Sequence, residues 1–186
     1  TSRTDIASLT VLDGEDQRQV LSLKGSSGSS GFMGVANLLI RNGYSDLQGA
    51  GLSIGGPSGF SGSASVLNVI FLENVSTTAI GGLAITTPLG KITALGNLFI
   101  ANGCAWDYCA FDLLSNAAST TSNPIPVLFG NNTVVDNFCI SGAPASCGAR
   151  QPRGAVDWVA HRLKRRCAHT SSRLSMTPGA AHSSSQ

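Results

Sequence analysis

One short phrase recurs along this chain: NLLIRNG at 37–43, VIFLEN at 69–74, NLFIANG at 97–103 and NTVVDN at 132–137. Self-similarity at a period of about 20–50 residues marks a repeat architecture and outranks element-by-element reading. Aligned on its last residue, the phrase places Asn42, Asn74, Asn102 and Asn137 in equivalent positions, at intervals of 32, 28 and 35 residues. Upstream of each Asn, Ile40, Leu72, Ile100 and Val135 stand two steps back, and Leu38, Ile70, Leu98 and Thr133 four steps back. That alternation of period two is the pattern of a β-strand with one face buried.

A second phrase follows each Asn: AGLSI (50–54), GGLAI (81–85) and CAFDL (109–113), with QVLSL (19–23) as an earlier copy. Leu21, Leu52, Leu83 and Phe111 then fall in one column. A third phrase precedes each Asn strand: SASVL (63–67), KITAL (91–95) and PVLF (126–129). Each unit therefore reads strand, turn, strand, loop, strand. A unit of this size cannot close a core alone. Stacked, each strand pairs with its equivalent in the next coil, and inward side chains form columns.

Stacking accounts for the repeated Asn. At a tight bend Asn tolerates left-handed φ, and its amide can bond the backbone and the Asn of the adjacent coil. Each such bond contributes about 1 kcal/mol, while an unpaired buried amide costs ~1–3 kcal/mol, so the arrangement favours Asn at successive rungs. A structural Asn ladder is therefore expected at 42, 74, 102 and 137. One column conflicts with the alternation: Leu39, Phe71, Phe99 and Val134 are directed away from the core. Either the strand bends so that they pack inside, or they form an outer apolar ridge, covered or open to a partner.

Composition agrees with short strands and many turns. Charged residues make up 12% of the chain and there are 22 Gly, which excludes a helical bundle laced with salt bridges. The net charge of +2 divides unevenly. Up to Gly148 there are five basic and nine acidic residues; from Ala149 onward there are seven basic and one acidic. Two regions follow: a repeat domain at 1–148 and an irregular basic tail at 149–186. The tail shows no β period. It reads as disordered, as a short basic amphipathic helix over 155–166 with Val156, Val159 and Leu163 on one face, or as the product of a shifted reading frame. No apolar run reaches the ~18–20 residues of a membrane-spanning helix, and nucleic-acid binding is not expected. The opening Thr1 suggests a mature or excised piece of a longer protein.

The run TVLDGEDQRQVLSL (10–23), followed by NLLIRNG and AGLSI, resembles the opening coils of right-handed parallel β-helix repeat proteins of the pectin-lyase-like and polymorphic-outer-membrane-protein-like kinds. The resemblance covers about residues 8–140. It implies an all-β, right-handed parallel β-helix of about four coils. It does not imply one activity, since this fold carries lyases, hydrolases, adhesins and tailspikes. Polygalacturonase-like members carry paired Asp and Gly-His-Gly motifs, and neither occurs here; His161, His169 and His182 all lie in the tail. Pectate-lyase-like members hold calcium on clustered carboxylates beside a basic residue. Asp13, Glu15 and Asp16 cluster in a turn, yet Ca²⁺ takes about 6–8 oxygens. Glu73, stacked near Arg41 and Ala101, would make a charge pair rather than the two facing carboxyls of a hydrolase. No catalytic residue, cofactor or metal is therefore assigned.

Cys104, Cys109, Cys139 and Cys147 bracket the loops CAWDYC and CISGAPASC. Local pairs 104–109 and 139–147 are the simplest of three connectivities, and free buried thiols are the alternative. Zinc-type CxxC spacing is absent. Trp106, Asp107 and Tyr108 form a candidate ligand loop that could stack on a sugar ring. Sequons stand at Asn74 and Asn131; if Asn74 is a buried rung, only Asn131 is open to a glycan. The function expected is a non-catalytic extracellular or cell-surface stalk that binds polysaccharide or a surface protein. The alternative is a fragment of a polysaccharide lyase or glycoside hydrolase with missing or degenerate catalytic residues. Unpaired strands at the ends of the stack also raise end-to-end self-association.

Overall fold

The computed structural model describes residues 8–26, 30–55, 62–86, 90–105, 108–114, 127–140 and 156–159, the last four by backbone alone. Within them the chain is all-β. The Asn phrases become β1 (Thr10–Asp13), β4 (Leu38–Arg41), β8 (Ile70–Leu72), β12 (Leu98–Ile100) and β16 (Thr133–Val135), which pair in that order as sheet A. The second phrases become β2 (Leu21–Leu23), β6 (Leu52–Ile54), β10 (Leu83–Thr86) and β14 (Phe111–Leu114), forming sheet B. Sheet C consists of β3 (Phe32–Ala36), β7 (Ser63–Leu67), β11 (Ile92–Leu95), β15 (Val127–Gly130) and β18 (Val156–Val159).

A fourth sheet, absent from the sequence reading, stacks two-residue strands: β5 (Tyr44–Ser45), β9 (Val75–Ser76), β13 (Gly103–Cys104) and β17 (Phe138–Cys139). Two residues are too few to show any periodicity. Every pairing is parallel, between equivalent strands of successive coils. A coil thus runs C, A, D, B. Instead of four full coils the described residues hold three, β3–β6, β7–β10 and β11–β14, with partial coils on either side.

The register corrects the alignment of the first copy by one residue. Ile40 pairs with Phe71, Phe71 with Phe99, and Phe99 with Val134. Phe71 and Phe99 are fully buried, while Ile70, Leu72, Leu98 and Ile100 are half-buried on the outer face. Of the two readings open for the Leu39, Phe71, Phe99 and Val134 column, packing inside holds: it is the core column, reached by a reversed phase of the alternation, and Ile40 replaces Leu39 in it. Outward aliphatic residues equal in hydrophobicity to inward ones made the phase illegible from pattern alone.

What sets the register is backbone chirality at two corners. Asn37, Asn68, Gly96 and Asn131 have φ between 53° and 67°, and Asn42, Glu73, Ala101 and Asp136 at the next corner between 51° and 55°. In every coil these two left-handed residues stand five positions apart, so sheet A has sides of constant length. Asn and Gly tolerate this conformation readily; Glu73 and Ala101 adopt it at a cost of about 1 kcal/mol or more.

The core is an apolar column between the sheets. Leu52, Ile54, Val66, Leu83, Ile85, Ile92 and Leu113 are all at most 1% exposed. Leu21, Leu52, Leu83 and Phe111 share one column, as the sequence predicted. Aromatic rings climb the interior: Phe71 and Phe99 stack at 4.9 Å and 3°, Phe99 meets Phe111 at 5.1 Å, and Phe111 meets Phe129 at 4.6 Å. Residues 156–159, expected as a helix or disorder, instead form a strand paired with Val127–Gly130. The rest of the tail lies outside the described residues.

Candidate functional site

The polar interior of the stack lies at the two corners of sheet A. After the second corner, Asn74, Asn102 and Asn137 are 0–4% exposed. Asn74 Nδ2 donates to Asn102 Oδ1 at 2.9 Å, and Asn102 Nδ2 donates to Asn137 Oδ1 at 2.9 Å. The same oxygens accept from the backbone N–H groups of Asn74 and Asn102, at 3.1 and 2.9 Å. The second Nδ2 hydrogens reach the carbonyls of Ile40, Phe71 and Phe99, each at 3.1 Å. Asn102 thereby uses two donors and two acceptor lone pairs, the full capacity of an amide side chain.

Asn42 stands one place off this column. Its φ of 51° makes it the left-handed corner residue of its coil, and its Nδ2 donates outward to Asp13 Oδ1 at 3.1 Å. The rung position of that coil is Gly43, whose N–H donates to Asn74 Oδ1 at 3.0 Å. A Cβ there would meet Ala50 O at 2.3 Å, so no asparagine could occupy that rung without moving the backbone. The left-handed φ expected of the ladder Asn belongs instead to the residue before each rung.

A second ladder escaped the sequence reading. At the first corner Asn97 Nδ2 and N–H both donate to Asn132 Oδ1, at 3.0 and 2.8 Å, and Asn97 Oδ1 accepts from Val69 N–H at 3.0 Å. Asn97 and Asn132 open the phrases NLFIANG and NTVVDN. The signal was present as Asn at both ends of a copy, but apolar Leu38 and Val69 fill that rung in the other coils and masked the repeat.

At one end, Asp13 accepts from Arg41 Nε at 2.7 Å, from Asn42 and from the N–H of Glu15 at 2.9 Å. These donors, the Glu15 backbone N–H foremost, hold its carboxyl below the usual carboxylate range. Glu15 is paired with Arg18 at 2.7 Å. Arg41 therefore turns to Asp13 rather than Glu73, which stacks between Asn42 and Ala101. Two of the three clustered carboxylates, Asp13 and Glu15, are thus each paired with an arginine.

Cys104 and Cys109 are joined by a disulfide and fully buried. Cys139 is also disulfide-bonded; Cys147, the partner expected for it, lies outside the described residues. The sulfurs of Cys104, Cys109 and Cys139 lie within 4.8 Å of one another. With Cys104 and Cys109 bonded together, the cluster has no thiolate pair to offer a soft metal. Trp106 and Asp107 lie outside the described residues, and Tyr108 is half-buried. Asn131 is exposed and Asn74 fully buried, which leaves Asn131 as the accessible sequon. Among the described residues no helix is long and apolar enough to cross a membrane.

Comparison of the chain with protein-family models, with curated proteins and with solved structures finds no match.

Proposed function

We propose that this chain is a non-catalytic, right-handed β-helix stalk of the pectin-lyase-like kind, extracellular or cell-surface, which presents a binding face to a polysaccharide or a surface protein. Right-handed winding is the hand that parallel strand crossovers favour. The observation that carries the reading is the use of the buried asparagines within the stack. Asn74, Asn97, Asn102, Asn132 and Asn137 are spent on bonds within the stack, and Asp13 and Glu15 on arginines. Such groups hold a rigid rod.

The regular outer face of sheet A, with half-buried Ile70, Leu72, Leu98, Ile100 and Val135, supplies a flat apolar surface for contact. The Cys104–Cys109 disulfide suits an oxidising compartment. The test is a panel of acidic and neutral polysaccharides and extracellular-matrix proteins, scored for retention and for chain cleavage, with and without calcium. Retention without cleavage, weakened by Leu98→Lys, is the expected result. Cleavage of any polysaccharide would overturn the proposal in favour of a lyase or hydrolase fragment.

A further inference from the structure

Sheet D carries sulfur where its earlier coils carry hydroxyl. Its register stacks Ser45, Ser76, Cys104 and Cys139 in one column. In the first two coils the hydroxyl closes a local turn: Ser45 Oγ accepts from Leu47 N–H at 2.9 Å, and Ser76 Oγ from Thr78 N–H at 3.1 Å. In the next two coils the same position is cysteine. Neighbouring strands of a sheet lie about 4.8 Å apart, so the column itself sets Cys104 beside Cys139. Cys109, which opens the phrase CAFDL, adds a third sulfur from the same coil as Cys104. Cys109 Sγ lies 3.7 Å from Cys139 Sγ, and all three sulfurs are within 4.8 Å of one another.

Cys104 is bridged to Cys109, and Cys139 belongs to a second disulfide. The chain has five cysteines, so the partner of Cys139 is Cys147 or Cys167. Two disulfides therefore touch through Cys109 and Cys139. A disulfide in contact with a thiolate exchanges: the thiolate attacks one sulfur and the other leaves. The backbone around the cluster is held in place. Cys109 O accepts from the N–H groups of Gly81 and Gly82 at 3.2 and 3.1 Å, and Cys104 O from Ile140 N–H at 2.7 Å. Closing the contact to the ~2.05 Å of a disulfide asks only for a sulfur shift within side chains already at 3.7 Å. Cys104 and Cys109 are fully buried while Cys139 is half-buried, so a thiol from solution meets the cluster at the Cys139 side.

We infer that the three sulfurs form an internal thiol–disulfide exchange site, entered at Cys139 by small thiols of the glutathione kind. The small thiol attacks the partner sulfur of the Cys139 disulfide, forms a mixed disulfide with that partner and releases Cys139 as a thiolate. Cys139 Sγ then attacks Cys109 Sγ. The Cys109–Cys139 bond forms, the Cys104–Cys109 bond breaks, and Cys104 leaves as a thiolate with the electron pair; this second step is neither a net oxidation nor a net reduction. A bridge within one loop, of sequence separation 5, becomes a brace between successive coils, of separation 30. The longer closed loop constrains the unfolded chain more strongly. The surrounding thiol pool thereby sets whether the coil of β13 is tied to that of β17, a property separate from whatever the outer face binds.

The test uses the full-length chain with Cys147→Ser and Cys167→Ser, which keeps the Cys104–Cys109 bridge and makes Cys139 a thiol. The protein is held at about pH 8.5, the ordinary thiol pKa, then quenched with acid and labelled with a maleimide. Proteolysis and mass spectrometry locate the labelled cysteine. Label on Cys104 in roughly a tenth of the chains or more, at a rate unchanged by dilution of the protein, is the expected result. Label confined to Cys139 overturns the exchange, and label on Cys109 overturns the choice of attacked sulfur. Adding Cys139→Ser is expected to slow reduction of the buried Cys104–Cys109 bridge by glutathione about tenfold or more. An unchanged rate would contradict entry at Cys139. The unaltered chain gives a reading that depends on no substitution: in a glutathione buffer it is expected to yield a Cys109–Cys139 crosslinked peptide. Loss of the Cys104–Cys109 bridge with no such peptide would refute the exchange.

Discussion

Replacing Asn102 by alanine removes one rung from the middle of the longer ladder. The side chain makes four bonds: its oxygen accepts from Asn74 N–H and Nδ2, and its nitrogen donates to Phe71 O and Asn137 Oδ1. Its residue is fully buried, so the abandoned partners have no water to turn to. A buried polar group left unpaired costs about 1–3 kcal/mol. The N–H of Asn74 is stranded outright, whereas Asn74 Nδ2 keeps Ile40 O, Asn137 Oδ1 keeps the N–H of residue 102, and the carbonyl of Phe71 keeps its place in the ladder between β8 and β12. One full penalty with partial losses at the other three groups predicts a destabilisation of about 2–4 kcal/mol. The comparison that gives this figure meaning is Asn42→Ala. Asn42 is half-buried with one side-chain bond, to Asp13, and its loss together with the left-handed φ predicts about 1–2 kcal/mol. Urea unfolding followed by circular dichroism measures both. Equal losses at Asn42 and Asn102 would refute the assignment of Asn42 to the corner and of Asn102 to the rung.

Other perturbations probe other parts of the stack. Phe99→Ala opens a cavity between the rings of Phe71 and Phe111 and is expected to cost about 3–5 kcal/mol in the same assay. Asp13 has its carboxyl pKa lowered below 3.8 by the Glu15 N–H, Asn42 and Arg41. Its contribution is therefore present above that ordinary value and lost as pH falls through the lowered folded value. Asp13→Asn should flatten the acid limb of the stability–pH profile below about pH 4, read by fluorescence or circular dichroism across an acid titration. Expression in a glycosylating secretory pathway should place a glycan on Asn131 and none on Asn74, with Asn131→Gln abolishing the mass increase. A glycan on Asn74 would mean that this rung is open.

The repeat was legible because strands of successive coils write similar phrases, and the column Leu21, Leu52, Leu83, Phe111 emerged intact from it. The phase of sheet A was not. Ile70, Leu72, Leu98 and Ile100 are as apolar on the outer face as Phe71 and Phe99 are on the inner one, so alternation carried no sign. The left-handed corners were hidden for a different reason. Glu73 and Ala101 are not residues that announce positive φ, and only their fixed spacing from Asn68 and Gly96 reveals them. The ladder at Asn97 and Asn132 was obscured because Leu38 and Val69 fill the same rung elsewhere. The candidate ligand loop was least legible of all: Trp106, Asp107 and Tyr108 offered residue types without a frame to aim them.

Side-chain amide exchange tests the stacked-ladder account most directly. With uniformly ¹⁵N-labelled protein, the Nδ2–H₂ groups of Asn74, Asn97, Asn102, Asn132 and Asn137 should resist exchange with solvent. Those of Asn74 and Asn137 should show nuclear Overhauser contacts to Asn102, while the amides of Asn42 and Asn131 exchange rapidly. Rapid exchange at Asn102, or contacts linking Asn42 to Asn74 as a fourth buried rung, would contradict the register from which the rest of the architecture follows.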